Sequence, residues 1–306
     1  MIVAVSQLLG YMLFKPLSYT VASFEPGQLI SYYDSYNPIT LTKPWTCGQP
    51  SGQGIGAMLI QWVTGDPFGF GSLTAGQLGN IAGDASGAVA PGEVLVLYGQ
   101  AVGPETAAPG RVDDSGKLMT SLAGVEVRFD GIPAPIYVGD YYQITVQVPY
   151  EVAGKTTTKI QATNRGIPSN EISVPVVDAL PGIFNTTASL IEALAANQDG
   201  TLNSRTAPAP MGSIVTLYVS GAGQLTPAAE TGRPASGLAQ TVLPVSLTMA
   251  GEDSEILFSG VAPGTVGVVQ VNARVTGTLP TGTASAPLVL TVGSRRTSTA
   301  IRLWVK

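Results

Sequence analysis

The chain has 306 residues and 44% hydrophobic content, but only 11% charged residues, against about 25% in an ordinary soluble domain. It holds no histidine and one cysteine, Cys47. This excludes Ser-His-Asp and Cys-His hydrolases, HExxH zinc sites, an intrachain disulfide, a thiolate zinc cage and an iron–sulfur cluster. A net charge of −5 and a pI near 4.8 argue against a nucleic-acid partner, which needs a basic patch, and no cofactor is implied.

Residues 1–83 open on an apolar stretch, Ile2 to Phe14, interrupted by Ser6, Gln7 and Gly10. No run reaches the roughly 18 apolar residues of a spanning helix, so no transmembrane segment is expected. The length suits a signal-peptide core with Thr20-Val21-Ala22 as cleavage site, although no Lys or Arg precedes it. The other reading is a retained strand that pairs elsewhere. Within it, Ile2, Val3, Val5, Leu8, Leu9, Met12, Leu13 and Phe14 are the candidate assembly contacts. Further on, PSGQGIG (50–56) and GDPFGFG (65–71) argue for short strands and turns. Thr74 to Ile81 reads as a helical turn or two.

From about residue 84 the pattern becomes regular. VEVRFDG (125–131) and QITVQVP (143–149) alternate β-branched or aromatic residues with polar ones, the period of half-buried strands. TTTKIQAT (156–163) and NEISVPV (170–176) read as strands too, the second at an edge or bulge because Pro175 lacks a backbone donor. The pattern then repeats. PGEVLVLYG aligns with MGSIVTLYV, Gly92 on Gly212 (212 − 92 = 120); VEVRFDG aligns with VSLTMAG (245–251) and QITVQV with QVNARV (270–275). A repeat of this size with strands every 8–15 residues or so has the dimensions of an immunoglobulin-like sandwich. The expected fold is therefore all-β: two tandem immunoglobulin-like β-sandwich domains, 84–184 and 185–306, behind an irregular, β-rich N-terminal region, 1–83. Ser189 to Ala196, in the connector, reads as a short helix ended by the turn at 197–200.

These motifs, taken in order, carry a resemblance. APGEVLVLYGQAVGP (90–104), GVEVRFDGIPAPIYV (124–138), QITVQVPYEVAG (143–154), IPSNEISVPV (167–176), LPGIF (180–184), NQDGTLN (197–203) and APGTVGVVQVNARV (262–275) resemble the uncharacterised C-terminal domain family abundant in Solibacter and other Acidobacteria. The resemblance covers about residues 84–306. It implies a secreted pair of β-sandwiches, usually appended to something larger, and supplies no catalytic residue. The chain departs from that habit in having only about 83 residues ahead of the pair.

The remaining motifs each have a plainer reading. NQDGTLNS (197–204) offers Asn197, Asp199 and Asn203 as oxygen ligands but lacks the Gly and Glu of a calcium loop, so an Asp-Gly turn capped by Asn side chains is expected and no metal site is assigned. Glu252, Asp253 and Glu255, like Asp113 and Asp114, read as solvated turns rather than carboxylates facing across a cleft. Asn185-Thr186-Thr187 matches a glycosylation acceptor by chance. Cys47 is better read as a buried thiol than as an intermolecular bridge. Arg295-Arg296 is too small for a polyanion site, and Lys155, Lys159 and Asn170 are weak candidates for an isopeptide bond. Trp45 and Trp62 are candidate sugar-stacking residues, with the core or interface of the N-terminal region as the weightier reading. No catalytic constellation emerges. The leading expectation is a non-enzymatic, secreted structural protein of the cell surface. It would self-assemble into a homo-polymer, filament or layer, by strand addition or head-to-tail contact. The alternative is a monomeric adhesion module that binds polysaccharide.

Overall fold

The computed structural model describes residues 31–32, 39–40, 72–83, 87–186, 189–235, 237–278, 284–297 and 301–306. The chain divides into two compact units, one of Phe14–Gly69 and one of Met1–Leu13 with Phe70–Lys306. In the first, Ser31–Tyr32 pairs antiparallel with Ile39–Thr40. The second contains two all-β sandwiches.

The first sandwich has seven principal strands: β1 (Ser72–Asn80), β2 (Val94–Gln100), β3 (Val125–Phe129), β4 (Ile136–Gly139), β5 (Gln143–Gln147), β6 (Thr157–Asn164) and β7 (Ile172–Pro175). They form the sheets β1-β2-β5-β4 and β3-β6-β7. In chain order these are strands A, B, E, D facing C, F, G, the arrangement of an immunoglobulin-like sandwich. The second repeats it with β8 (Ala195–Asn197), β9 (Ile214–Ser220), β10 (Val245–Met249), β11 (Ile256–Val261), β12 (Val269–Arg274), β13 (Ser285–Val292) and β14 (Arg302–Trp304). Its sheets are β8-β9-β12-β11 and β10-β13-β14.

The repeat seen in the sequence is a repeat of hydrogen bonds. Leu97 stands opposite Ile144, and Leu217 opposite Val271. The Gly92 amide donates to Val148 O at 3.0 Å, as the Gly212 amide does to Val275 O at 2.9 Å. Both glycines sit at φ +75 to +78, a region that costs a side chain strain. The turns after β3 and β10 also match, with Asp130-Gly131 and Ala250-Gly251 all at positive φ, as a two-residue hairpin of matching twist requires.

Two helical expectations give way to strands. Ser72–Asn80 pairs with β2 across a register shift between Leu73 and Leu78. Residues 189–197 split into Ser189–Ala193, which meets Arg302 in parallel, and β8, which pairs with β9. In each case the edge of a waiting sheet outweighs a weak local preference. As expected for a strand carrying Pro175, β7 lies at the side of its sheet beyond β6, where Val89 N donates to Pro175 O at 3.0 Å and adds a parallel bridge at Val176.

Each sandwich has its own core, and a third apolar cluster joins them. Leu95 and Leu97 point into the first core, whereas Val94 and Val96 point outward into the joining cluster. They meet Phe184, Leu194, Tyr218, Ala262 and Val268 of the second sandwich there. The A-B-E-D sheets thus face each other across an apolar seam. Hydrogen bonds stitch it: Val94 N to Ser220 Oγ at 2.9 Å, Asn80 Nδ2 to Leu180 O at 2.7 Å, and Tyr137 OH to Val266 O at 2.5 Å. The segment Glu230–Gly232 adds a second attachment. Gly232 N donates to Gln147 Oε1 at 2.7 Å, Leu118 N to Gly232 O at 2.8 Å, and Thr231 Oγ1 to Glu151 Oε2 at 2.7 Å. Lys117 pairs with Glu230 at 2.9 Å.

The seam leaves no space at Gly267. Its φ is +62, and a Cβ there would lie 2.6 Å from Gly92 O, a backbone atom unable to yield. Gly267→Ala is expected to cost about 2–4 kcal/mol, from left-handed strain and overpacking together. In calorimetry the natural chain should melt the two sandwiches in one transition, and the variant should separate them.

Candidate interaction site

The repeat allows the two D-strand edges to be compared. In the first sandwich the edge of β4 is closed. Ala108 and Pro109 pair with Gly139 and Val138, Gly110 N donates to Tyr137 O at 2.6 Å, and Ile136 N donates to Met119 O at 2.9 Å. In the second, β11 is covered only at one end. Gln240 stands opposite Gly260, and Val261 N donates to Ala239 O at 2.9 Å. Along Ile256–Ser259 no strand pairs with its outer side among the described residues.

An open groove of about 390 Å³ runs beside this edge, lined by Gln240–Val245 and Ile256–Ser259. None of these residues is charged. Leu257 is the extra residue of a bulge between Ile256 and Phe258 and is 44% exposed. Val242 is 54% exposed and nearby Leu238 78%. A second cleft of about 300 Å³, bounded by Pro91, Ala153, Gly154, Asp178 and Gln224, shares Val242 and Leu243 with the groove. Gln240–Thr241 stands next to β11 in the sheet with Leu225–Thr226 beyond it, and Thr241 Oγ1 donates to Ser259 Oγ at 3.2 Å, so the edge is partly covered and is interrupted by the bulge at Leu257, both of them devices that blunt a sheet edge.

One buried ionisable group stands out. Glu93 ends the turn Ala90-Pro91-Gly92-Glu93, and its Oε2 accepts from Ala90 N at 2.8 Å. Its Oε1 is buried with no hydrogen-bond partner among the described residues. Burial pushes the carboxyl up to about 8, against a smaller opposing effect of the Ala90 amide. The group therefore keeps its proton at neutral pH, the ordinary response of a carboxyl removed from water. Gly92, beside it, is pressed against the Tyr150 ring, and burial pushes that phenol up to about 12.

The candidate assembly residues Ile2, Val3, Val5, Leu8, Leu9, Met12, Leu13 and Phe14 lie outside the described residues, as do Trp45, Trp62 and Cys47. The NQDGTLNS segment is a closed turn. Asp199 Oδ1 accepts from Thr201 N and Oγ1, and Asn203 Nδ2 donates to Asn197 Oδ1 at 2.9 Å and Trp304 O at 2.8 Å. Three of the acidic residues are spoken for separately: Glu255 pairs with Arg274 at 2.8 Å, Glu252 accepts from Thr278 N, and Asp113 accepts from Ser115 and Lys117. Lys155 meets Asp130 and Lys159 meets Glu171, each at 2.8 Å and exposed. Sequence reasoning missed the seam, the groove and Glu93. One signal was available: Val94-Leu95-Val96-Leu97 is continuously apolar rather than alternating, the mark of a strand buried on both faces.

No protein-family model and no curated protein sequence matches the chain. Among solved structures, the plexin A4 extracellular region aligns at 8% identity over 87% of this chain and 20% of its own, with a TM-score of 0.25. The chain thus spans about a fifth of that plexin. The D00-D0 domain of intimin aligns at 12% identity over 78% of this chain and 100% of its own, TM-score 0.18. The I9-I11 tandem of titin aligns at 10% identity over 77% and 65%, TM-score 0.20. The fold assignment stands on the strand order described above.

Glu93 has a testable consequence for stability. The unfolded chain releases this proton near pH 4.5 and the folded chain near 8. Between these values the folded state binds the extra proton, so stability falls as pH rises and levels off above about 8. At about 1.4 kcal/mol per pH unit the loss is on the order of 5 kcal/mol. Glu93→Gln keeps the acceptor without the charge. Urea unfolding at pH 5 and pH 8 should show the variant about equal to the natural chain at the lower pH and clearly more stable at the higher.

Proposed function

We propose that the chain is a non-enzymatic structural protein of the cell exterior, the repeating subunit of a surface filament or layer. The observation that carries this reading is the seam. Two sandwiches that could have been joined by a free linker are fused through their A-B-E-D faces, with core-like packing and crossing hydrogen bonds. Such a pair keeps its shape under load, a property that a lattice subunit needs. The thin charge supports the same reading, because surfaces with few charges do little to keep copies apart. The proposed mechanism is strand addition: a free segment such as Ile2–Tyr19 of one copy completes an open sheet edge of another, gaining backbone hydrogen bonds and side-chain pockets. A contact of that kind does not close on itself and gives a fibre. The proposal extends to secretion and to membership of the Solibacter-type domain family, which the ordered motifs between residues 90 and 275 support.

Electron microscopy of the native surface fraction, beside the purified protein, tests the reading. Regular filaments or sheets are expected, and deletion of residues 1–19 should abolish them. Dispersed monomers at high concentration would overturn it and turn attention to glycan binding around Trp45 and Trp62.

A further inference from the structure

We infer that two loops of the second sandwich, 230–235 and 261–268, act as one clamp on the A-B-E-D face of the first, and that assembly depends on the clamp being shut. This rests on the self-assembly reading and adds the element that gives the subunit a fixed shape. A filament repeats the geometry of one subunit in the next, and a freely hinged pair has no single geometry to repeat.

The internal repeat shows where the clamp comes from. VEVRFDG and VSLTMAG are offset by 120 residues (251 − 131), but QITVQV and QVNARV by 127 (270 − 143), so the second sandwich gains seven residues between them. In the first sandwich β4 passes to β5 by a tight turn, with Asp140 N donating to Gln143 O at 2.9 Å across Tyr141 and Tyr142. In the second, Gly260 stands opposite Gln270 and the chain runs out between them. This extension is what meets the first sandwich. Ala262 and Val268 join the seam cluster, and Val266 O accepts from Tyr137 OH. A Cβ on Gly267 would meet Gly92 O, Val94 Cγ2 and Gln147 Nε2. The other loop is tied to the extension, Ala235 N donating to Thr265 O at 2.9 Å and Gly264 N to Ala235 O at 3.2 Å. It holds the first sandwich through Gly232 and Thr231, whose Oγ1 also accepts from Tyr150 N at 3.0 Å. Gln147 is met by both loops.

The two E strands measure what the clamp does. Gln143, Thr145 and Gln147 of β5 stand opposite Tyr98, Val96 and Val94; Gln270, Asn272 and Arg274 of β12 stand opposite Tyr218, Thr216 and Ile214. Each is the polar row of an alternating strand, the pattern of a face turned to water. On β12 that row is partly exposed, whereas on β5 its residues are 6%, 1% and 1% exposed. The clamp has taken a solvent-type face out of water, and it returns a partner to the group that most needs one, Gln147 Oε1, through Gly232 N. Apolar contact in the seam is non-directional. The clamp's hydrogen bonds are directional and fix one orientation of the pair.

Full-length chains test the clamp. Deleting residues 261–267 joins Gly260 to Gln270 through Val268-Val269, a turn as long as Tyr141-Tyr142. Calorimetry should show two transitions in this variant against one in the natural chain, and electron microscopy should find no filaments of it. Tyr137→Phe with Thr231→Val is a milder variant that removes hydrogen bonds crossing the joint and adds no bulk. Hydrogen exchange should then rise roughly tenfold or more at Val94 N and Gly232 N, whose acceptors lie across the joint, while amides inside each sheet stay unchanged, as local opening requires. A single transition in the deletion variant, or unchanged exchange at both amides in the double variant, would overturn the clamp; if the deletion variant does not fold, exchange alone decides. Uncoupled sandwiches that still form filaments would overturn the dependence of assembly on the clamp and leave the self-assembly reading standing. A natural chain that forms no filaments would sink that reading, and the dependence with it, while exchange still decides whether the clamp couples the sandwiches.

Discussion

Val94 and Ser220 are in contact because a strand of one sandwich is buried on both of its faces. Leu95 and Leu97 fill the core of the first sandwich, and Val94 and Val96 fill the joint with the second. A strand so placed has no solvated side, so every polar group near it must find a partner within the protein. The Val94 amide finds Ser220 Oγ, Gln147 Oε1 finds the Gly232 amide, and Asn80 reaches Leu180 O. Each of these bonds crosses between sandwiches or into the connector. The order of the pair follows from that constraint more than from the length of the linker between them.

The same constraint explains the glycines at the joint. Gly182 lies where a side chain would strike the backbone of Ala82, Gly221 where it would strike Leu180 O, and Gly267 where it would strike Gly92 O. Close approach of backbone to backbone is the common cause, and only glycine permits it. Glu93 belongs to the same region. Its carboxyl turns back on the Ala90 amide and is sealed off from water. It is tolerated because burial holds it protonated, and the stability of the fold is accordingly tied to pH.

The repeat is less exact at the D strands. Both sandwiches carry the same D strand, but the chain spends its cover on one. The segment before β3 lies along β4, while its counterpart before β10 is partly diverted. Glu230–Gly232 is drawn across to Leu118, Gln147 and Glu151 to fasten the joint. Covering the second edge fully and fastening the sandwiches draw on the same loop, and the fastening has taken its middle. An uncharged, half-covered strand is what remains.

Sequence alone determined the class of fold and the internal symmetry. Period-two alternation in VEVRFDG, with Gly92 and Gly212 in matching turns, is local information that local rules suffice to read, whereas QITVQVP has the alternation of a half-buried strand and is buried on both faces, its Gln143, Thr145 and Gln147 included. It could not place the chain at 72–80 or 189–197, where Gly- and Ala-rich residues carry little preference and the outcome depends on which sheet edge stands open. The seam, the burial of Glu93 and the partly covered edge of β11 were decided by tertiary structure. Each depends on what lies across a gap from a residue, and residues such as Asn80 and Ser220 meet across a sequence separation that no local pattern spans. The unbroken apolar run Val94–Leu97 was the one place where the sequence recorded a second buried face.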